Sequence, residues 1–158
     1  MECHITDAKE KHLDDLERLE NSCFSCPWTR EQLLMEYPDD RHVFLVAENE
    51  MGSAVAYAGM MHVLDEGYIS NVAVDRNYRR QGIADMLIDA VLERAEALLL
   101  SFVTLEVRES NTAAIALYAK HAFAEVGRRK NYYELPREDA ILMTKFLDRG
   151  ITNENTRL

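Results

Sequence analysis

Several large classes of protein are excluded by what this chain is short of. No run approaches the roughly 18 apolar residues that a membrane-spanning helix needs. Met1-Glu2-Cys3-His4 has neither the basic start nor the apolar stretch of a secretory signal. A cytoplasmic protein with no membrane partner is the expectation. Basic residues are outnumbered, 18 Lys and Arg against 28 Asp and Glu, for a net charge of -10. That balance argues against nucleic-acid partners and suits a basic protein substrate. Glycines number six, and they form neither Gly-x-Gly-x-x-Gly nor a Gly-Lys-Ser/Thr loop, which excludes the dinucleotide fingerprint and the nucleotide P-loop. Cysteines are few and odd in number: Cys3, Cys23 and Cys26. Cys23-x-x-Cys26 has only Cys3 and His4 or His12 nearby to complete a zinc site, and no thioredoxin-like setting, so reduced thiols, structural or incidental, and no metal are expected. There is no internal repeat and no low-complexity linker. With 158 residues, the chain reads as one domain over residues 1–146 and a frayed tail over residues 147–158.

What is present centres on Arg79-Arg80-Gln81-Gly82-Ile83-Ala84. A helix N-terminus already carries about half a positive charge and several unpaired amides, so acids normally collect there. Here Arg76, Arg79 and Arg80 collect instead, in an acidic chain. An anion seated on the amides explains the excess most simply, as diphosphates sit at glycine-bearing strand-to-helix turns. The alternative is an ordinary surface turn with solvated arginines.

Around that turn the pattern predicts a strand at residues 3–6, a helix at 8–22 with Leu13, Leu16, Leu19, Glu20 and Cys23 on one stripe, and a short helix to residue 36. Thr29 and Gln32 have capping-box spacing. β-rich runs follow at 43–48, 54–63 and 68–74, an antiparallel meander in which nothing looks catalytic by itself. An amphipathic helix over residues 83–98 should bury Ile83, Met86, Leu87, Ala90, Val91, Ala95 and Leu98. Residues 102–108 alternate, with Val103, Leu105 and Val107 on one side and Thr104, Glu106 and Arg108 on the other. Strand, helix and strand in this order form a right-handed crossover with parallel strands, whose ligand site lies beyond their carboxyl ends, where the arginine-glycine turn falls. Ser110 or Asn111 caps the next helix, and strands at 123–133 and 139–146 close the chain.

Arg79, Gly82 and Ala84 fill the Gln/Arg-x-x-Gly-x-Gly/Ala pattern of the GCN5-related N-acetyltransferases (GNAT), which the turn resembles. The run from Leu105-Glu106-Val107-Arg108-Glu109-Ser110-Asn111 to Leu117-Tyr118 resembles the RimI branch, the ribosomal-protein-alanine N-acetyltransferases. So do Pro27-Trp28, Gly127-Arg128-Arg129-Lys130-Asn131-Tyr132-Tyr133 and Glu138-Asp139-Ala140-Ile141-Leu142-Met143. The resemblance implies an α/β (α+β) GNAT fold, a central mixed twisted sheet of about seven strands flanked by about four helices. It also implies acetyl-CoA as cosubstrate with no metal, and the basic N-terminus of a small-subunit ribosomal protein as acceptor.

By the same resemblance, Glu106 is the general base, through water, and Tyr118 the general acid. Val72, Ala73 and Val74 offer main chain to the pantetheine arm and an amide to the thioester oxygen. Arg79, Arg80, Gln81, Gly82, Ile83, Ala84 and Asp85 make up the diphosphate turn, and Asn111 contacts the cofactor as well as capping its helix. Without the resemblance, Glu106 reads as a solvated strand residue and Tyr118 as a core aromatic. The chain departs from the family at His121-Ala122-Phe123, where Leu-Gly-Phe is usual. Either Ala122 takes a left-handed position at a cost of about 1 kcal/mol, or the turn differs. Rival readings are a GNAT enzyme for another amine, such as a protein lysine, a polyamine or an antibiotic, and a CoA-binding module without turnover.

Overall fold

In the computed structural model, which describes residues 2–36 and 39–147, the elements follow the expected order with small shifts in their bounds. β1 (His4–Asp7) leads through a 3-10 turn at Glu10–His12 into α1 (Leu13–Cys23) and α2 (Arg30–Glu36). β2 (His42–Glu48), β3 (Ala54–Val63) and β4 (Glu66–Val74) form the meander. A second 3-10 turn, Arg76–Tyr78, precedes α3 (Ile83–Ala97) and β5 (Phe102–Arg108). α4 (Thr112–Lys120), β6 (Ala124–Glu134) and β7 (Arg137–Phe146) complete the chain. Residues 148–158, most of the expected tail, lie outside the described residues.

The strands make one seven-stranded sheet in the order β1-β2-β3-β4-β5-β7-β6. Neighbours are antiparallel except β4 and β5, which run parallel as the crossover requires. Side chains on β2 alternate between two layers. Val43, Leu45 and Ala47 pack with α3 residues, while Phe44 and Val46 pack with Leu16 and Leu19 of α1 and Leu33 of α2. A strand covered on both faces is apolar at nearly every position, which is why this run shows no alternation in the sequence.

Local rules account for the helix ends. Thr29 N–H donates to Gln32 Oε1 (2.9 Å) and Gln32 N–H to Thr29 Oγ1 (3.2 Å), the expected capping box. Asn111, not Ser110, caps α4: its Oδ1 accepts from Ala114 N–H at 3.1 Å, while the Ser110 hydroxyl donates to Glu138. Ala122 has φ 68, so it does take the left-handed position usually given to glycine.

The buried face of α3 is rotated from the expected one. Ile83, Leu87, Ile88, Val91, Leu92 and Ala95 are buried, and Met86 and Leu98 are exposed. The stripe follows the i, i+4 ridge, which is the row of side chains that seats along a sheet, and Met86 falls off its flank. No helix among the described residues is long and apolar enough to cross a membrane.

Candidate active site

β4 and β5 part company midway, and the site opens from that fork. Their parallel pairing runs from Glu66 opposite Phe102 to Ile69 opposite Leu105. Beyond it β4 keeps only β3, with Val72 opposite Ala58, Ala73 opposite Tyr57 and Val74 opposite Ala56. A register shift beside Ser70, between Gly59 and Met60 on the partner strand, marks the point of divergence. β5 meanwhile continues along β7, with Glu106 opposite Leu142. The outer edge of β4 is thereby released as a row of main-chain donors and acceptors.

A cavity of about 690 Å³ occupies the fork, within the range of small-molecule sites. Val72, Ala73, Val74, Arg79, Arg80, Gly82, Ile83, Ala84, Asp85, Asn111 and Tyr118 all line it, so most of the predicted set converges on one space. Gln81 and Glu106 do not line it. The Gln81 side chain turns back to donate to Asn77 O at 3.4 Å. Cys23, Phe24, Tyr78, Ala113, Ala114 and Leu117 also line the cavity. Sequence reasoning missed these because nothing about a helix end such as Cys23-Phe24 announces that it packs beside a strand 50 residues on.

At the far end of the cavity the chain turns into α3 with two left-handed residues, Arg80 (φ 62) and Gly82 (φ 79). The first bond into the helix runs from Met86 N–H to Gly82 O. The amides of Ile83, Ala84 and Asp85 therefore have no intrahelical partner and are available to an anion. A left-handed arginine costs about 1–2 kcal/mol, a strain that recurs where backbone is bent around a ligand. A Cβ built on Gly82 meets nothing within 4 Å, so the space over the turn is open. Arg79 Nε donates to Val74 O at 3.0 Å and ties the turn to the strand end. The Asp85 carboxylate points away to His121 Nε2 (2.8 Å) and Lys120 Nζ (3.0 Å). Those two partners, His121 first, hold it below the usual carboxylate range. An acid in the first turn is thus neutralised and leaves its amide to act.

Of the two candidate acid–base groups, Tyr118 lines the cavity and Glu106 lies outside its lining. Tyr118, on α4, is buried with its ring edge against Phe123. Burial, with Tyr133 as the lesser cause, pushes its phenol up to about 12, so it is a proton donor at any physiological pH. Glu106 is not a solvated strand residue: its side chain is 7% exposed. Tyr68 OH donates to its Oε1 at 2.5 Å, and Arg129 Nε donates to its Oε2. Tyr133 is close enough to influence both groups, and its own phenol is pushed up to about 12 by burial and then by Glu106. Arg108 lies 4.3 Å from the centre of the Tyr133 ring and donates to Pro136 O (2.9 Å), Leu135 O (3.1 Å) and Glu138 (3.0 Å). It pins the β6–β7 hairpin over β5.

Glu20 is a further carboxylate at the fork, buried and not identified from sequence as a site residue. Its Oε1 accepts from Trp28 N–H (2.6 Å) and its Oε2 from Asn71 Nδ2 (3.1 Å), and burial raises its pKa. It ties the loop after α1 to β4. The signal was available: a glutamate standing on an otherwise apolar helical stripe. The three cysteines are free thiols. His4 and His12 meet at Glu48, His4 Nε2 at 3.1 Å and His12 Nε2 at 2.6 Å, so these two candidate zinc ligands are committed to a carboxylate.

Residues 13–123 match the family model described as Acetyltransferase (GNAT) family. A [ribosomal protein bS18]-alanine N-acetyltransferase of Escherichia coli (strain K12) is 36% identical over 127 residues, which is 79% of this chain and 84% of that protein. One from Haemophilus ducreyi is 33% identical over 141 residues, 87% of this chain and 96% of that protein. The crystal structure of the ribosomal-protein-S18-alanine N-acetyltransferase from Escherichia coli superimposes with a TM-score of 0.85 at 31% identity, covering 93% of this chain and 95% of that one.

Proposed function

The chain belongs to the acetyltransferase (GNAT) family and to its RimI-like branch of acetyl-CoA-dependent N-acetyltransferases, and from that premise we propose that it acetylates the N-terminal alanine of ribosomal protein bS18 in the cytoplasm. The observation that carries the chemistry is the fork, where a released strand edge and a helix start with unpartnered amides share one cavity with the Tyr118 phenol, while Glu106 lies on the strand that diverges from it. The acceptor rests on the likeness to the bS18-alanine enzymes.

In this reading the diphosphate of acetyl-CoA sits on the amides of residues 83–85 under Arg80, with Gly82 admitting it closely. Asn111 lies alongside. The pantetheine arm runs along the main chain of Val72, Ala73 and Val74 like an added strand. An α-amino group titrates near pH 8, so about a tenth is neutral at pH 7 and a modest base suffices. Glu106 takes the proton, and because it lies outside the cavity lining it does so through water. The freed nitrogen attacks the thioester carbonyl, whose developing oxyanion is met by a β4 amide. Collapse expels the CoA thiolate, which Tyr118 protonates; the nitrogen's second proton leaves to solvent, solvent reprotonates Tyr118, and no acyl-enzyme forms.

Incubation of the purified chain with labelled acetyl-CoA and two peptides tests this: the bS18 N-terminal sequence, and the same sequence with its α-amine blocked and a lysine added. Label and thiol release are expected with the first alone. Labelling confined to the lysine peptide would replace the acceptor and keep the enzyme class.

A further inference from the structure

Both oxygens of Glu106 are occupied, and by partners of different character. Tyr68 belongs to a central strand, and burial and its bond to Glu106 hold its phenol well above the ordinary range, so it is a fixed neutral donor. Arg129 is 56% exposed and rides on β6, an edge of the sheet. Its position there is built. Between Arg129, opposite Ala140, and Tyr133, opposite Glu138, three residues of β6 face one of β7. Asn131 takes φ 54 in that bulge, its amide donating to Asp139 Oδ1 at 2.8 Å. Bulges of this kind re-aim side chains, and this one presents Arg129, Tyr132 and Tyr133 towards Glu106, with the Arg129 guanidinium 5.9 Å from the Tyr132 ring centre.

Among the described residues, the groups facing Glu106 are thus three phenols, Tyr68, Tyr132 and Tyr133, and one cation, Arg129. Arg108, two residues along the same strand, is committed to Glu138 and the hairpin carbonyls. An acceptor α-amine arrives as an ammonium about nine times in ten at neutral pH, and it needs the oxygen that Arg129 holds. We propose that Arg129 is a displaceable cationic plug: its guanidinium satisfies and aims Glu106 while the acceptor site is empty, and the acceptor's ammonium, together with the water that relays its proton to Glu106, takes its place. The proposal rests on Glu106 as the base, and it makes Arg129 a positioning residue that sets acceptor affinity.

The test is peptide Kd by calorimetry on the CoA-bound protein, which needs no turnover, together with KM for peptide and for acetyl-CoA. Arg129→Gln should tighten peptide Kd and lower peptide KM by about fivefold, the scale of a half-exposed ion pair, with the acetyl-CoA KM unmoved. Arg129→Lys should stay near the parent. Methylguanidinium should compete with peptide in Arg129→Ala and have no effect on the parent. Unchanged or weakened peptide binding in Arg129→Gln, or methylguanidinium that does not compete, overturns the plug. Glu106→Gln in the same assay separates the two readings. Parental kcat there removes the base and the plug with it; a slow Glu106→Gln beside an unmoved Arg129→Gln removes only the plug.

Discussion

The two ends of the candidate site are built from different materials, and of the second only Tyr118 lines the cavity. The end at α3 is main chain: consecutive amides after Gly82, with Arg79 and Arg80 beside them, all within a few residues of sequence. The end at Glu106 is side chain: Tyr68 from β4, Glu106 from β5, Tyr118 from α4 and Tyr133 and Arg129 from β6. Backbone at a helix start has its polarity whatever the rest of the fold does. Side chains from four elements acquire their chemistry only when packing brings them together. The first end should therefore govern cofactor binding and tolerate most side-chain changes, and the second should govern turnover and tolerate few.

Glu106→Gln is the sharpest way to break this contrast. It should lower kcat by about 10²–10⁴-fold and leave the acetyl-CoA KM and the melting temperature near the parent; a variant that unfolds instead would make Glu106 a structural residue. Gly82→Ala probes the other end. Its Cβ meets no protein atom, so strain at the positive φ costs about 1 kcal/mol, yet it projects into the space assigned to the diphosphate. The acetyl-CoA KM should rise by about tenfold with kcat retained, and calorimetry with CoA would read it directly. Tyr118→Phe should slow turnover by about tenfold, since a CoA thiolate near the cysteine range is already a fair leaving group. With the phenol pushed up to about 12, its proton should impose no alkaline limb on kcat below that pH.

Glu48 offers a control, a carboxylate as well partnered as Glu106 but remote from the fork. Bonds from Lys11 first and His12 second lower it from 4.5 to about 2. A depressed carboxylate contributes stability that is complete above its unfolded pKa and is lost as pH falls through the folded one. Thermal melts should thus fall between pH 4.5 and about 2 in the parent, and Glu48→Gln should flatten that limb. Its kcat at neutral pH should match the parent, opposite to the pattern for Glu106. The smallest effect is expected from Ala122→Gly, where relief of φ 68 should add about 1 kcal/mol, or about 2–4 °C in Tm. No change in Tm would mean that the His121–Asp85 contact, not the turn, holds the end of α4.

Most of the fold could be read because its signals are local. The Thr29–Gln32 box, the Asn111 cap and the alternation of β5 each involve residues a few positions apart. The cavity residues around Arg79 to Asp85 were legible for the same reason. Glu106 and Tyr118 were picked out by resemblance, and their neighbours were not, because Tyr68 and Arg129 carry no mark of the strand they will face. Glu20 stood out on the apolar stripe of α1, but nothing near it in sequence named its partners, the Trp28 amide and the Asn71 side chain.

Taken alone, the amino-acid order determined the helices, the strands, the crossover and the amide turn at the head of α3, since hydrogen bonding and periodicity over a few residues suffice for each. Tertiary structure decided which face of α3 is buried, where β4 leaves β5, and what surrounds Glu106. Those outcomes depend on sheet register and on a bulge in β6, which set contacts between residues tens of positions apart, and no short window of sequence contains both partners.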